Sequence, residues 1–380
     1  MTRPLRFAGS MLAAGVAISS LAACGGSSGG SASDTSSSSA PSSSAPSGTS
    51  STSSSGGGDA AAMKIALLLP ESQTARYEAF DKPLFEKAIK AACSGCTVLY
   101  FNADQDASKQ QSQMESALTQ GAKVIALDAV DAKAAISLVN SAKSQQVPVI
   151  AYDRAIKGAD YYVSYQNDVV GKLQGTALVD ALHKQGKKSG NLLMVNGDPN
   201  DPNAPSFKSG AHSVLDKSGF KIVAEYDTPG WKPANAQSWV DGQLTKVKSG
   251  LVGVYSANDG LAGGIISALK GGGVKPLPPV TGQDAELAGI QRIVAGDQAM
   301  TIYKAIKPEA EDAAAAAIAL GGGKKPNSTK TVDGTPANLL TPVAVTKANI
   351  KSTIVKDGFY TTDQICTSDF AAACKRAGLG

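Results

Sequence analysis

The stretch "KVIALDAVDAKAAISLVNSAKSQQVPVIAYDR" (123–154) predicts a strand, a helix and a second strand in direct succession. Its two ends, "KVIALDA" (123–129) and "PVIAYDR" (148–154), are short and almost continuously apolar, as expected for strands buried on both faces. The segment between them, "KAAISLVNSAKSQ" (133–145), has the Ala, Leu, Lys and Gln content of a connecting helix. Strand and helix alternating at this spacing are typical of a parallel, doubly wound α/β sheet.

Similar apolar runs recur along the chain with helix-like segments between them. They lie at 64–70, 97–103, 161–167, 191–197, 221–227, 251–259, 279–284 and 299–304. The tract "EAEDAAAAAIALGGG" (309–323) predicts one further helix that stops at glycines. Roughly 315 residues follow Met63, too many for one small core, so we expect two lobes.

Residues 1–23 have the order of features expected of a signal peptide. Arg3 and Arg6 give a basic start. The apolar run at 11–21 that follows is too short to span a bilayer, which argues against a transmembrane helix. We therefore expect export.

The signal peptide ends in "LAAC" (21–24), which resembles a bacterial lipobox. In that reading Cys24 is lipidated and becomes the mature N-terminus; a plain secretory signal with an incidental cysteine is the alternative. Residues 24–62 are mainly Ser, Gly, Ala, Pro and Thr, a composition that cannot bury enough surface to fold. This segment predicts a tether with a reach of about 35 Å.

The remaining cysteines favour disulfides. They stand in two close pairs, Cys93 with Cys96 and Cys366 with Cys374. In an exported chain whose only histidines are His183 and His212, two local disulfides are the favoured interpretation. A zinc site formed by all four cysteines is the alternative.

Charge and missing motifs exclude several classes of protein. The 36 Lys and Arg less the two arginines of the signal peptide leave 34, against 32 Asp and Glu, and no basic face stands out, so no nucleic-acid partner is expected. No P-loop and no G-x-G-x-x-G motif is present, and G-x-S-x-G occurs only in the Ser- and Gly-rich segment (25–30), away from any predicted strand. Carboxylates at strand ends could form a glycosidase pair, but nothing singles out two of them. We therefore expect no catalytic residue, no cofactor and no metal ion.

Almost every apolar run ends in a polar residue. These residues are Asp104, Asp128, Asp153, Arg154, Asn167, Asp227, Asn258, Asp259, Asp284 and Lys304. In open α/β sheets the ligand lies beyond the carboxyl ends of the strands. Asp and Asn are also good helix N-caps, but capping does not explain Arg154 or Lys304. For Asp284 the chemistry alone leaves a catalytic acid, a metal ligand, a helix cap and a ligand acceptor open.

From Lys64 to about Tyr360 the chain resembles bacterial solute-binding proteins of the type I periplasmic fold, and among them the D-xylose-binding and multiple-sugar-binding group. The matching motifs are "KIALLLP", "VIAYDRAI", "SYQNDVVGKLQGTALVDAL", "YSANDGLAGGIISAL", "TGQDAELAGIQRIVAGDQAMTIYK" and "NLLTPVAVTKANIKSTIVKDGF". The resemblance implies two doubly wound parallel-sheet lobes joined by three crossovers, near Asn167, Lys304 and Thr341. The implied segments are an N-terminal lobe of 64–167 plus 305–338, a second lobe of 168–304 plus 343–365, and a tail of 366–380.

The resemblance also implies a function. Such a protein is a monomer that closes on one monosaccharide and delivers it to the permease of an ABC importer. D-Xylose is the first expectation, with arabinose, glucose or galactose next. The alternative is a module that presents the bound sugar to a membrane sensor kinase.

The ligand groups are implied by the matching motifs. They are Arg76, Tyr77, Arg154, Asp201, Asn203, Trp231, Asn258, Asp284 and Lys304. Tyr77 stands where the family has a stacking Trp, and Trp231, in a loop, is expected to be an exposed second platform. Asp201 and Asp284 would balance the three cations, whereas Phe207 and Tyr303 are assigned to the core. Two features depart from the family: Gln166-Asn167 replaces Asp-Asn, and the loop 196–205 looks one residue longer.

Overall fold

The structure, a computed structural model, describes residues 62–380. The strands are β1 (Lys64–Leu69), β2 (Thr97–Asn102), β3 (Ala122–Leu127), β4 (Val149–Tyr152), β5 (Tyr161–Tyr165), β6 (Asn191–Asn196), β7 (Lys221–Asp227), β8 (Leu251–Ser256), β9 (Thr301–Tyr303), β10 (Lys330–Val332), β11 (Thr335–Leu340) and β12 (Val343–Val345). The helices are α1 (Lys82–Ala92), α2 (Ala107–Thr119), α3 (Ala134–Ser144), α4 (Asn167–Lys184), α5 (Ala204–Leu215), α6 (Pro233–Val247), α7 (Asp259–Gly271), α8 (Leu287–Ala295), α9 (Ile306–Gly321), α10 (Thr362–Ile365) and α11 (Ala371–Arg376).

The larger of the two main sheets, hereafter the large sheet, has the strand order β10-β11-β5-β4-β3-β1-β2. All its pairs are parallel except the antiparallel β10–β11 pair at one edge. Successive residues of β1 show why the strands are apolar throughout. Leu67 packs into a cluster with Phe85 of α1, whereas Leu68 packs on the opposite face with Met114 of α2. Helices therefore cover both faces, as the continuous apolar pattern predicts.

The small sheet has the parallel order β7-β6-β8. Its core contains side chains of α4, α5, α6 and α7, and it is separate from the two clusters around the large sheet. Beside it, β9 and β12 form an antiparallel pair. Residues 366–380 fold against α8, where Cys374 and Leu379 lie in one cluster with Ile290.

The chain passes between the two sheets three times. The passages run from β5 to α4, from β9 to α9 and from β11 to β12, at the three positions expected near Asn167, Lys304 and Thr341. The predicted fold class, two α/β lobes with parallel sheets and three crossovers, is confirmed. The exact lobe limits stay a prediction.

One predicted strand is wrong. In 279–284 only Val280 makes an isolated parallel bridge, to Val254. Pro278 and Pro279 have no backbone N–H to donate, so a regular ladder cannot start there. The chain instead runs beside β9, where the carbonyl of Gly282 accepts from the N–H of Ile302 (3.1 Å), and bends at Asp284 before α8.

Both cysteine pairs form disulfides, Cys93–Cys96 after α1 and Cys366–Cys374 before and within α11. Within residues 62–380 no helix has the length and apolarity needed to cross a membrane. The predicted signal peptide, Cys24 and all of the tether except its last residue lie outside the described residues.

Candidate functional site

A cavity of about 280 Å³ lies where the carboxyl ends of strands from both sheets meet. It is lined by Thr74, Arg76, Tyr77, Asp153, Arg154, Asp201, Asn203, Phe207, Trp231, Asn258, Gln283, Asp284 and Lys304. All nine residues predicted as ligand groups are in this set. The segments after β1, β4, β6, β7, β8 and β9 supply most of the lining, which is the position expected for a ligand in open α/β sheets.

Not every polar strand end reaches the cavity. Asp104 is exposed and pairs with Lys109, and Asp227 is exposed and pairs with Lys208. These two aspartates at strand ends therefore form ion pairs on the protein surface and do not contribute to the cavity. Conversely, Thr74, Asp153, Phe207 and Gln283 line the cavity without having been predicted as ligand groups.

Arg154 and Asp201 link the two sheets across the cavity. Nε of Arg154, after β4, lies 3.0 Å from Oδ2 of Asp201, which follows β6. Arg154 also donates from Nη1 to the carbonyl of Ala129 (2.7 Å) and from Nη2 to the hydroxyl of Tyr77 (3.3 Å). Burial raises the pKa of Asp201 and the Arg154 charge opposes this rise. The remaining Nη hydrogens of Arg154 are free to meet a ligand.

Trp231 is held rigidly rather than exposed. Its side chain is buried, and its Nε1 donates to Oδ2 of Asp201 (3.0 Å). The indole lies against the backbone of Gly197, where an added Cβ would come within 2.1 Å of the ring. The prediction of an exposed platform is therefore wrong: the loop folds inward because only glycine at 197 leaves room for the ring.

Arg76 has its own carboxylates. Its guanidinium contacts Asp81 (2.7 Å), Asp153 (3.1 Å) and Glu309 (2.8 Å), and all four side chains are buried. The expectation that Asp201 and Asp284 would balance Arg76 is wrong, because α9 brings Glu309 beneath it. Burial raises the pKa of Glu309 well above its usual range, and the Arg76 charge opposes this rise.

Lys304 and Asp284 form the third charged group. Nζ of Lys304 lies 2.9 Å from Oδ1 of Asp284, and it is 5.6 Å and 5.8 Å from the ring centres of Tyr165 and Phe207. Burial lowers the pKa of Lys304, but Asp284 and Asp153 outweigh it, so the amine stays charged. Phe207, assigned to the core, is also a wall of the cavity, because the first turn of α5 faces it. Tyr303 packs in the core cluster of α8 as expected, although its edge meets Phe359.

Asp284 does not start a helix. Glu286 is the N-cap of α8, and the backbone N–H of Asp284 donates to the carbonyl of Ile302 (2.8 Å). Asp284 has φ 85° and Ala285 has φ 50°, a left-handed conformation that non-glycine residues rarely adopt. Asp153 (φ 56°) and Trp231 (φ 53°) share it. The cap interpretation of Asp284 is wrong. Three of these left-handed residues, Asp153, Trp231 and Asp284, line the cavity, and strained backbone of this kind occurs at many functional sites.

The two asparagines of the cavity have partners of their own. Oδ1 of Asn258 accepts from the N–H of Leu261 (2.8 Å) and caps α7, which leaves its Nδ2 for a ligand. Nδ2 of Asn203 donates to the carbonyl of Asp153 (3.1 Å), and its Oδ1 accepts from Asn167 (2.9 Å). Asn203 therefore also links the two sheets beside the first crossover.

Two α/β lobes, three crossovers and one small polar cavity between the strand ends define a two-lobed ligand-binding protein. The periplasmic binding protein domain matches residues 65–325, and the chain belongs to the periplasmic binding protein family.

Named relatives agree with this assignment. The chain is 36% identical over 313 residues to a D-xylose-binding periplasmic protein of Escherichia coli, covering 80% of this chain and 92% of that protein. It is 37% identical over 328 residues to a multiple sugar-binding periplasmic receptor of Rhizobium radiobacter, covering 79% and 92%. An ABC transporter solute-binding protein from Clostridium phytofermentans with bound β-D-glucose superposes with a TM-score of 0.73 at 28% identity, covering 80% and 99%. The chain is a binding protein and not an enzyme.

Proposed function

We propose that the protein captures one monosaccharide in this cavity and delivers it to an ABC importer. The observation that supports this most is the mixture of groups around one small space. Each sugar hydroxyl both donates and accepts, so it needs carboxylate, amide and guanidinium groups around its edge. The cavity offers acceptors on Asp284 and Gln283, donors on Arg154, Lys304 and Asn258, and rings on Tyr77, Phe207 and Trp231.

A buried acceptor without a protein donor supports the same proposal. Oε1 of Gln283, in the described part of the chain, is buried and accepts no hydrogen bond. A buried acceptor without a donor is costly, and a ligand hydroxyl would supply one. Gln283 is thus a ligand group that the sequence motifs did not single out, although it precedes Asp284 directly.

The cavity's size favours a single sugar ring. The space between the lining side chains, about 280 Å³ with the part open to solvent included, suits a small ligand and not an oligosaccharide. D-Xylose is the first candidate, because relatives over most of the chain are named for it. Arabinose, glucose and galactose follow. The proposed lobes are 64–167 plus 305–338 and 168–304 plus 343–365.

The remaining parts of the proposal concern location and partners. A lipid on Cys24 and the tether 24–62 would hold a monomeric binding domain at the outer face of the cell membrane. Closure on the sugar would shift an open–closed equilibrium toward the form that docks on the permease. Two of the comparisons name periplasmic proteins and one an ABC transporter component, which supports this role.

A thermal-shift panel tests the proposal. We expect D-xylose, or one of L-arabinose, D-glucose and D-galactose, to raise the melting temperature by roughly 5–10 °C at a hundredfold excess over its Kd, since such binding adds about 2.7 kcal/mol. Xylitol, which has the hydroxyls of xylose without its ring, is the matched control and should shift it little. No shift with any of the four sugars would contradict the proposal.

Gly197→Ala should weaken sugar binding. The added methyl group collides with the Trp231 ring, so the ring and its bond to Asp201 must move, and overpacking of this kind costs about 1–3 kcal/mol. We expect a roughly tenfold higher Kd in titration calorimetry. Gly242→Ala on α6, where an added Cβ meets nothing within 4 Å, is the matched control. Equal affinities for the two variants would show that Trp231 is not held in the way described.

A further inference from the structure

Asp259 lies behind the cavity and does not line it. It is the first residue of α7 and is fully buried. An acid at this position could merely favour the helix dipole. Its carboxylate instead accepts three hydrogen bonds from outside α7: from the N–H of Glu286 (2.9 Å), the hydroxyl of Thr301 (2.8 Å) and Nε2 of Gln298 (2.6 Å).

These bonds surround the loop 282–286, which carries Gln283 and Asp284 into the cavity. The N–H of Asp259 donates to the carbonyl of Gln283 (3.0 Å), and its carboxylate accepts from the N–H of Glu286. The two left-handed residues, Asp284 and Ala285, stand between these two anchor points. The hydroxyl of Thr301 adds a third anchor, since it accepts from the N–H of Ala285 (3.1 Å) while donating to Asp259.

Two glycines leave room for the carboxylate of Asp259. A Cβ added at Gly282 would lie 1.9 Å from Oδ1 of Asp259, and one added at Gly289 would lie 2.4 Å from Oδ2. The loop and the start of α8 therefore approach the carboxylate as closely as backbone can. A strained backbone conformation persists only where several surrounding interactions hold it in place. In this loop, those interactions are made mainly with Asp259.

We propose that Asp259 is a positioning residue for sugar binding: through its backbone N–H and its carboxylate, it fixes the loop that aims Gln283 and Asp284 at the ligand. This rests on the proposed function, because the loop matters only if the cavity binds a sugar. Asp259 does not touch the ligand itself.

The charge state of Asp259 gives this role a measurable signature. Burial raises its pKa to about 7, with Arg292 and the bonds from Thr301 and Gln298 opposing the rise. A proton on the carboxylate turns one acceptor into a donor and breaks one of the three bonds. Affinity for the sugar should therefore be greatest above pH 7 and fall as the pH drops through 7. Asp284 and Glu286 from the loop, Arg292 from α8 and Tyr360 before α10 also interact with this carboxylate. The signature of Asp259 is therefore the difference between the pH profiles of the wild type and the variant.

The test compares sugar affinity in the full chain by titration calorimetry, using the sugar with the largest thermal shift. Asp259→Asn cannot accept all three bonds, because an amide nitrogen only donates. We expect its Kd to rise roughly tenfold to a hundredfold at pH 8 and to lose part of the wild-type dependence on pH. Asp312→Asn, at a partly buried acid of α9 bonded to Tyr161 and Asn338 far from the loop, is the matched control and should leave the Kd unchanged.

A second pair of variants decides the matter if Asp259→Asn does not fold. Thr301→Val removes the hydroxyl that joins Ala285 to Asp259 and should weaken binding in the same direction, whereas Thr301→Ser keeps the hydroxyl and should retain most of the affinity. The inference would be overturned if folded Asp259→Asn has a Kd within twofold of wild type at both pH 6 and pH 8. If Asp259→Asn does not fold, the same result for Thr301→Val would overturn it. Absence of sugar binding in the wild type would instead overturn the proposed function.

Discussion

Asp284→Ala is expected to lower the affinity for D-xylose by roughly 30-fold to several thousandfold while leaving the melting temperature of the ligand-free protein nearly unchanged. Truncating one partner of a buried, charged hydrogen-bonded pair costs about 2–5 kcal/mol in binding. Asp284 is buried and its Oδ1 pairs with Nζ of Lys304 (2.9 Å). Lys304 keeps the nearby charge of Asp153, and it can regain water when the lobes open, so folding should suffer little.

Asp284→Asn is the matched variant for this prediction. Asparagine tolerates the left-handed conformation at φ 85°, whereas alanine does not favour it, so the asparagine variant separates loss of charge from strain in the backbone. It should bind less well than wild type and better than Asp284→Ala. An unchanged Kd in both variants would remove Asp284 from the binding site.

Arg76→Met is expected to produce the largest loss of folding stability, about 3–5 kcal/mol. The change leaves Asp81 and Asp153 buried with no opposite charge between them. Glu309 loses its buried partner as well. Chemical denaturation of the ligand-free protein measures the effect.

The control for this prediction is Glu309→Gln. Glutamine can still accept from Arg76, and Asp81 and Asp153 remain to balance the guanidinium charge, so the free energy of unfolding should change by less than about 1 kcal/mol. A large loss in Glu309→Gln, or a small one in Arg76→Met, would show that the charges of this cluster are distributed differently.

Much of the fold follows from local patterns. Strands buried on both faces need continuous apolar runs, so β1 and β3 are recognisable without any partner. The prediction of a strand at 279–284 is wrong although this run, like the true strands, begins with apolar residues. Only the two prolines and the tight approach of Gly282 to Asp259 show why a loop forms there.

The cavity was predictable because parallel strands bring their carboxyl ends to one edge, so residues far apart in sequence, such as Arg154 and Lys304, meet in space. The partners of Arg76 were not predictable. Glu309 lies 233 residues after Arg76 in the sequence, within a helix whose alanine-rich pattern does not distinguish it from an ordinary helix. The inward fold of Trp231 also depends on a distant residue, Gly197, which no local pattern marks.

A crystal structure of the protein grown with D-xylose would show directly whether the cavity binds the sugar. We expect one sugar ring in the cavity, with hydroxyl groups within hydrogen-bond distance of Asp284 and Arg154 and one face of the ring against Trp231. A sugar bound elsewhere on the chain, or an empty cavity at a sugar concentration that saturates binding in calorimetry, would contradict it.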